Sequence, residues 1–216
     1  MAVALPAAPD LSALPQSLRT LAARGVPRSY RKGTLIIEEG SHGDTLYLLL
    51  RGRVKAFSSD ARGREVTYGV YGAGDYFGEM SLDGGPRSAS VIAEEASVCA
   101  VLTRQTLHEH VRAEPEFAFE LIGRVIRRAR LATQSARSMA LLDVYGRVVQ
   151  LLESLAVVQA DGTRVIEDRS THAAIAAQVG CSREMVSRLM KDLERGGYVS
   201  TDRRKLRLLR LLPTNW

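Results

Sequence analysis

The chain has 216 residues, room for one large domain or two ordinary ones, and its 45% hydrophobic and 25% charged residues are those of a globular protein. No apolar run approaches the roughly 20 residues that span a bilayer, and Met1–Asp10 is Ala/Pro-rich without a basic start. Neither a membrane partner nor a signal peptide is expected, and a cytoplasmic location follows by default. Cys99 and Cys181 are too few for a disulfide framework or a cysteine-held iron–sulfur cluster, and both read as small buried hydrophobes. Among the four histidines only His108 and His110 lie close together; two residues apart on a helix they face different ways, so no metal site is expected. The net charge of +6 favours a polyanionic partner. The charge is clustered. Arg124, Arg127, Arg128, Arg130 and Arg137 lie between Leu121 and Ala140 without an acid, and nine Lys/Arg face four Asp/Glu between Cys181 and Arg210.

After a ragged start and a short helix at Pro15–Arg24, short apolar stretches alternate with glycine turns from Pro27 to Leu102. Strands are predicted at Thr34–Ile37, Leu46–Leu50, Val54–Phe57, Glu65–Tyr71 and Ser90–Leu102, an all-β sandwich or barrel. A helix over Thr103–Val111 follows, then a long one from Glu116 to Met139 with Pro115 in its first turn. Ala118, Ile122, Val125, Ala129, Ala132, Ala136 and Met139 repeat at spacings of 4 and 3, a heptad seam. The seam reads as a two-stranded homodimer contact in preference to a face packed on its own domain. Ser138–Asp143 looks like a hinge, and Asp143 N-caps a helix running to Val158. A turn at Ala160–Thr163 and a strand at Arg164–Glu167 complete this stretch.

From Ser170 the pattern is compact. Ser170 or Thr171 caps a helix at Ala173–Gln178, Gly180 supplies a tight turn, and a second helix runs from Ser182 or Arg183 to Arg195. Ile175, Val179, Val186, Leu189, Met190 and Leu193 point inward. Two short helices joined by such a turn make a helix-turn-helix. Tyr198–Thr201 and Leu206–Leu211 then form a hairpin wing with a basic tip, Asp202-Arg203-Arg204-Lys205. Arg183, Glu184, Ser187, Arg188 and Lys191 share the outer face of the second helix; arginine suits guanine O6 and N7, and glutamate accepts from cytosine N4.

In the first half, the chemical centre is Gly74-Asp75-Tyr76-Phe77-Gly78-Glu79 through Arg87-Ser88-Ala89-Ser90. Its glycine turns expose backbone N–H groups that suit an anion. Arg87 could neutralise a phosphate, Ser88 donate to it and Glu79 accept from a ribose hydroxyl; equally, Arg87 could be a surface charge or an ion pair with Glu79.

Val179-Gly180-Cys181-Ser182-Arg183-Glu184-Met185-Val186-Ser187-Arg188 resembles the recognition segment of the catabolite activator (cyclic-AMP receptor) family. Leu142–Arg147 resembles that family's hinge, and Phe77-Gly78-Glu79-Met80-Ser81-Leu82 followed by Arg87-Ser88-Ala89 resembles its phosphate-binding cassette. The resemblance covers residues 27–212 in order. It implies an α+β chain: an N-terminal segment (1–26), a cyclic-nucleotide-binding-type β-roll (27–112), a dimerisation helix (113–140) and a winged helix-turn-helix (141–216). It implies a non-enzymatic, dimeric transcription regulator on palindromic double-stranded DNA, with Arg183, Glu184 and Arg188 reading bases and Thr171, Ser182, Ser187 and Lys191 meeting phosphates. RNA polymerase is a further expected partner; the exposed Gln159–Thr163 loop is one place for that contact, though most exposed loops touch nothing.

Gly78, Glu79, Met80, Arg87, Ser88 and Ala89, with Thr133 reaching from the second subunit, form the implied effector site. Where the family's threonine touches adenine this chain has Ala132. No cofactor is obligatory. Cyclic AMP is the first choice of effector, followed by cyclic GMP or a cyclic dinucleotide, for which Arg127, Arg128 and Arg130 suit extra phosphates. A constitutive DNA binder without a nucleotide is the other alternative.

Overall fold

A computed structural model describes residues 11–12, 14–167, 170–202 and 205–213. These form two compact units, one running to residue 58 and again over Thr67–Arg128, the other taking Ser59–Val66 and the chain from Ala129 onward. Among the described residues no helix is long and apolar enough to cross a membrane.

The first unit opens with helix α1 (Gln16–Arg24) and is built on eight strands: β1 (Val26–Tyr30), β2 (Leu35–Ile37), β3 (Leu46–Arg51), β4 (Val54–Ser59), β5 (Glu65–Tyr71), β6 (Tyr76–Phe77), β7 (Ser90–Ala93) and β8 (Ser97–Leu102). They make two four-stranded sheets, ordered β1-β8-β3-β6 and β2-β7-β4-β5. Helices α2 (Arg104–Ala113) and α3 (Glu116–Leu141) follow. The run Leu46–Leu50 is apolar throughout because β3 is buried on both faces, and the period of two sorts its side chains. Leu46, Leu48 and Leu50 join Leu18 and Leu21 of α1, Leu107 of α2 and Phe117 of α3 in one core, while Leu49 joins Ile37, Val54, Phe77 and Cys99 in the other.

The two cores explain the strands the sequence hid. β1 contains Pro27 and is mostly exposed, so it carries no alternation; it survives as an edge strand on β8, where a missing N–H is tolerated. The expected single strand Ser90–Leu102 is two, broken by a bend at 94–96, and the halves enter different sheets: β7 pairs with β2 and β4, β8 with β1 and β3. Cys99 is a small core residue as its composition suggested, and burial pushes its thiol pKa up to about 12. His108 is exposed on α2 while His110 is fully buried against Phe117, ring centroids 4.9 Å apart.

The second unit contains α4 (Val144–Leu155), β9 (Val157–Val158), β10 (Arg164–Ile166), α5 (His172–Val179), α6 (Arg183–Arg195), β11 (Val199–Asp202) and β12 (Lys205–Leu208), with the sheet ordered β11-β12-β10-β9. Its core joins Val148 and Leu152 of α4, Ile175 and Val179 of α5, Val186, Met190 and Leu193 of α6, and Leu206 and Leu208 of the wing. Leu189 sits at the margin of this core, half-buried, and not inside it as its spacing suggested. Helix α4 stops at Leu155, short of the expected Val158. Ala156 is extended, and the β-branched pair Val157–Val158 is drawn into antiparallel register with β10. Likewise β12 ends at Leu208, leaving Leu209 and Leu211 exposed. Arg203 and Arg204 of the expected basic tip lie outside the described residues, as do residues 1–10.

Candidate effector pocket and nucleic-acid interface

The turn after β6 builds the first site. Gly78 adopts φ +85°, and a Cβ there would stand 2.7 Å from Arg87 Nη1 and 3.0 Å from the Thr45 carbonyl oxygen. Only glycine permits both the backbone and the approach. Arg87 is buried and spends its guanidinium on this turn: Nη1 donates to the carbonyls of Gly78 (2.8 Å) and Thr45 (3.1 Å), and Nη2 to Thr45 Oγ1 (2.9 Å). It is therefore neither a surface charge nor the partner of Glu79. The cassette loop is threaded on it, and its backbone is tied to Ser41 and Gly40 by hydrogen bonds of 2.8 Å.

Glu79 opens a 3₁₀ turn (Glu79–Ser81), and its side chain is only 3% exposed. A carboxylate so desolvated needs a cation, and Arg128 of α3 supplies it through Nη1 to Oε1, while its Nη2 donates to the Tyr76 carbonyl. Arg128 is thus committed to Glu79, which corrects its assignment to a further phosphate; Arg127 and Arg130 stay exposed. One turn earlier Arg124 pairs with Asp75 at 2.9 Å. Sequence reasoning missed both pairs. Their signal was present as two arginines four apart, but which strand-end acids they met was a tertiary fact.

Glu79 Oε2 is buried with no hydrogen-bond partner among the described residues. A buried acceptor left so costs about 1–3 kcal/mol, and a ligand hydroxyl is the kind of donor that satisfies it. Ser88 Oγ contacts Met80 Sδ at 3.3 Å, and Met80 is exposed. The structure therefore gathers Gly78, Glu79, Met80, Arg87 and Ser88 around one turn, with Ala89 next in chain. Thr133 is exposed on α3, its hydroxyl donating back to the Ala129 carbonyl at 3.0 Å.

The second site is the exposed face of α5 and α6. Thr171 caps α5 by accepting from the Ala174 amide (3.1 Å), and Ser182 caps α6 by accepting from that of Met185 (3.2 Å). Between them Gly180 takes the left-handed conformation, φ +69°, that ends α5. Burial of Val186, Met190 and Leu193 turns Arg183, Glu184, Arg188 and Lys191 to solvent. Ser187 is half-buried and shares a 2.9 Å hydrogen bond with His172 Nδ1, a pairing across the two helices that no sequence spacing announced. Arg147 donates from Nε to the Val179 carbonyl and from Nη1 to the Leu142 carbonyl, both 2.8 Å, pinning the C-terminus of α5 to the hinge. At the wing, Lys205 pairs with Glu167 at 2.6 Å.

A roll whose cassette presents a buried acid and a buried arginine, with a winged helix-turn-helix after a long helix, is the architecture of a transcription regulator that joins a nucleotide-binding-type roll to a DNA-binding module. Comparison with known proteins agrees. Residues 27–114 match the family of cyclic nucleotide-binding domains, and residues 146–212 match the Crp-like helix-turn-helix domain. The cAMP-activated global transcriptional regulator CRP of Salmonella typhimurium is 30% identical over 178 residues, 79% of this chain and 83% of that one. The cAMP-activated global transcriptional regulator Vfr of Pseudomonas aeruginosa is 34% identical over 182 residues, 80% and 84%. Among solved structures, the c-di-GMP-responsive global regulator CLP of Xanthomonas campestris superposes with a TM-score of 0.76 over 90% of this chain and 98% of that one, at 23% identity. The chain belongs to the CRP/FNR family of bacterial transcription regulators.

Proposed function

We propose that this chain is a homodimeric regulator whose grip on palindromic double-stranded DNA is set by a cyclic nucleotide, cyclic AMP first, bound at the Glu79–Arg87 cassette. One observation carries the effector reading: Glu79 is a nearly fully buried carboxylate with one oxygen on Arg128 and the other without a donor. A ribose hydroxyl supplies that donor, and the adjoining turn, with Ser88 exposed at its end, offers hydroxyl and backbone donors to a phosphate.

The heptad seam supports the dimer. Ile122, Val125 and Met139 are 52%, 42% and 48% exposed in the single chain, apolar surface that a second α3 would cover. Arg183, Glu184 and Arg188 are assigned to base edges, and Thr171, Ser182, Ser187 and Lys191 to phosphates. In the dimer, effector binding favours the arrangement that sets the two α6 helices one DNA turn, about 34 Å, apart, with the break at Leu142–Asp143 between α3 and α4 as the element that moves. RNA polymerase is the proposed partner of the bound complex.

The test is DNA-binding anisotropy on a palindromic site at fixed salt, with and without cyclic AMP, cyclic GMP and cyclic di-GMP. Tightening by cyclic AMP, lost in Glu79→Ala, is the expected result. Tightening by cyclic di-GMP alone would replace the effector by a dinucleotide. Tight binding indifferent to all three would make the chain a constitutive DNA binder.

A further inference from the structure

Between Arg87 of the cassette, 6.0 Å from the Tyr47 ring centroid, and Arg128 of α3 lies a ladder of rings. Tyr47 of β3 and Phe77 of β6 stack with centroids 5.0 Å apart and planes at 6°; Phe77 and Tyr71 of β5 follow at 6.5 Å and 6°. The guanidinium of Arg128 lies over the Tyr71 ring, 4.6 Å from its centroid. Phe77 belongs to the core between the sheets, with Tyr47 and Tyr71 packed against it, so the ladder is anchored from within.

Arg128 is held in two directions at once. It donates to Glu79 Oε1 and to the Tyr76 carbonyl, and its guanidinium carbon lies over the Tyr71 ring. A quarter of the side chain, 24%, is still accessible. The same guanidinium is bonded to Glu79, so a ribose held by Glu79 brings its base close to Arg128.

We propose that the effector's nucleobase is read through its π-face, by stacking on the Arg128 guanidinium as the last layer of the Tyr47–Phe77–Tyr71–Arg128 ladder. This rests on the nucleotide reading above and adds the residue that reads the base. Arginine stacks on aromatic planes where lysine cannot, and the attraction is to a face that every base possesses, so it discriminates poorly between base edges. Such a site holds the base of a ribose cyclic phosphate and separates adenine from guanine only weakly.

Calorimetric titration of the full chain with cyclic AMP, cyclic GMP and a base-free ribose 3′,5′-cyclic phosphate tests this. Wild type is expected to bind the two purine nucleotides within about tenfold of each other and the base-free ligand at least about tenfold more weakly. Arg128→Lys keeps a cation for Glu79 but removes the planar face. It should lose about tenfold more for both purine nucleotides than for the base-free ligand, whose loss reads the weakened hold on Glu79 alone. Tyr71→Leu withdraws the layer beneath and should shift the purines in the same direction by less; it carries the test if Arg128→Lys fails to fold by its melting curve. Equal losses for all three ligands would mean that Arg128 serves only to position Glu79 and would overturn the stack. A wild-type preference of more than about a hundredfold between cyclic AMP and cyclic GMP would overturn it too, by showing edge reading. If wild type binds none of the three, the nucleotide reading falls and the stack with it, leaving the DNA-binding face untouched.

Discussion

Substituting Gly78 by alanine attacks the cassette at its tightest point. The residue sits at φ +85°, where an L side chain costs about 1–2 kcal/mol. The added methyl would also meet Arg87 Nη1 at 2.7 Å, below any distance a real Cβ contact shows, with the Thr45 carbonyl oxygen at 3.0 Å on another side. The carbonyl is backbone, so the guanidinium is what must move. Its departure breaks the 2.8 Å bond to the Gly78 carbonyl and strains those to Thr45, and a hydrogen bond to a charged group contributes about 1.5–3 kcal/mol. Together the loss is about 3–5 kcal/mol, a fall of roughly 10–20 °C in the melting of the first unit. Gly33→Ala is the matched control, for Gly33 has φ +82° with nothing within 4 Å of an added Cβ, so it carries the backbone cost alone. Calorimetric melting of the two variants beside wild type reads the difference. If they fall equally, the contact between Gly78 and Arg87 contributes nothing and the account of the cassette as a loop threaded on Arg87 is wrong.

Three further outcomes are expected. Asp143→Ala removes the cap that accepts from the Gly146 amide at 2.7 Å and should destabilise the second unit by about 1 kcal/mol in urea unfolding, with Asp143→Ser recovering most of it. Burial holds the His110 pKa below its ordinary 6.5, so the unfolded chain binds the proton first; the stability of the first unit should fall as pH drops below about 6.5, and His110→Leu should flatten that slope in melting curves taken against pH. Lys191→Ala should weaken DNA binding alike on every sequence and lower the log K against log salt slope by about one, whereas Arg188→Ala should cost about 1–3 kcal/mol and relax preference at one base pair; a reversed pattern would exchange their roles.

Much of this molecule was legible in the chain because its signals are local. A capping hydroxyl lies three residues from the amide it accepts, as Thr171 and Ser182 show, and a left-handed turn announces itself by its glycine, as at Gly180. The 3.6-residue period of α6 by itself separates Val186, Met190 and Leu193 from Arg183, Glu184 and Arg188.

What the sequence could not decide depended on partners distant along the chain. It named Glu79 and Arg87 but left open that they pair with each other, whereas the fold gives Glu79 to Arg128, 49 residues away, and Arg87 to Thr45, 42 away. A buried charge takes whichever opposite charge or dipole the packing brings near it, and no spacing records which that is. The same holds for Val157–Val158, whose apolar pattern continues a helix until strand β10 competes for its backbone, and for the rings of Tyr47, Phe77 and Tyr71, which sit on three strands and become one stack only when both sheets close over the core.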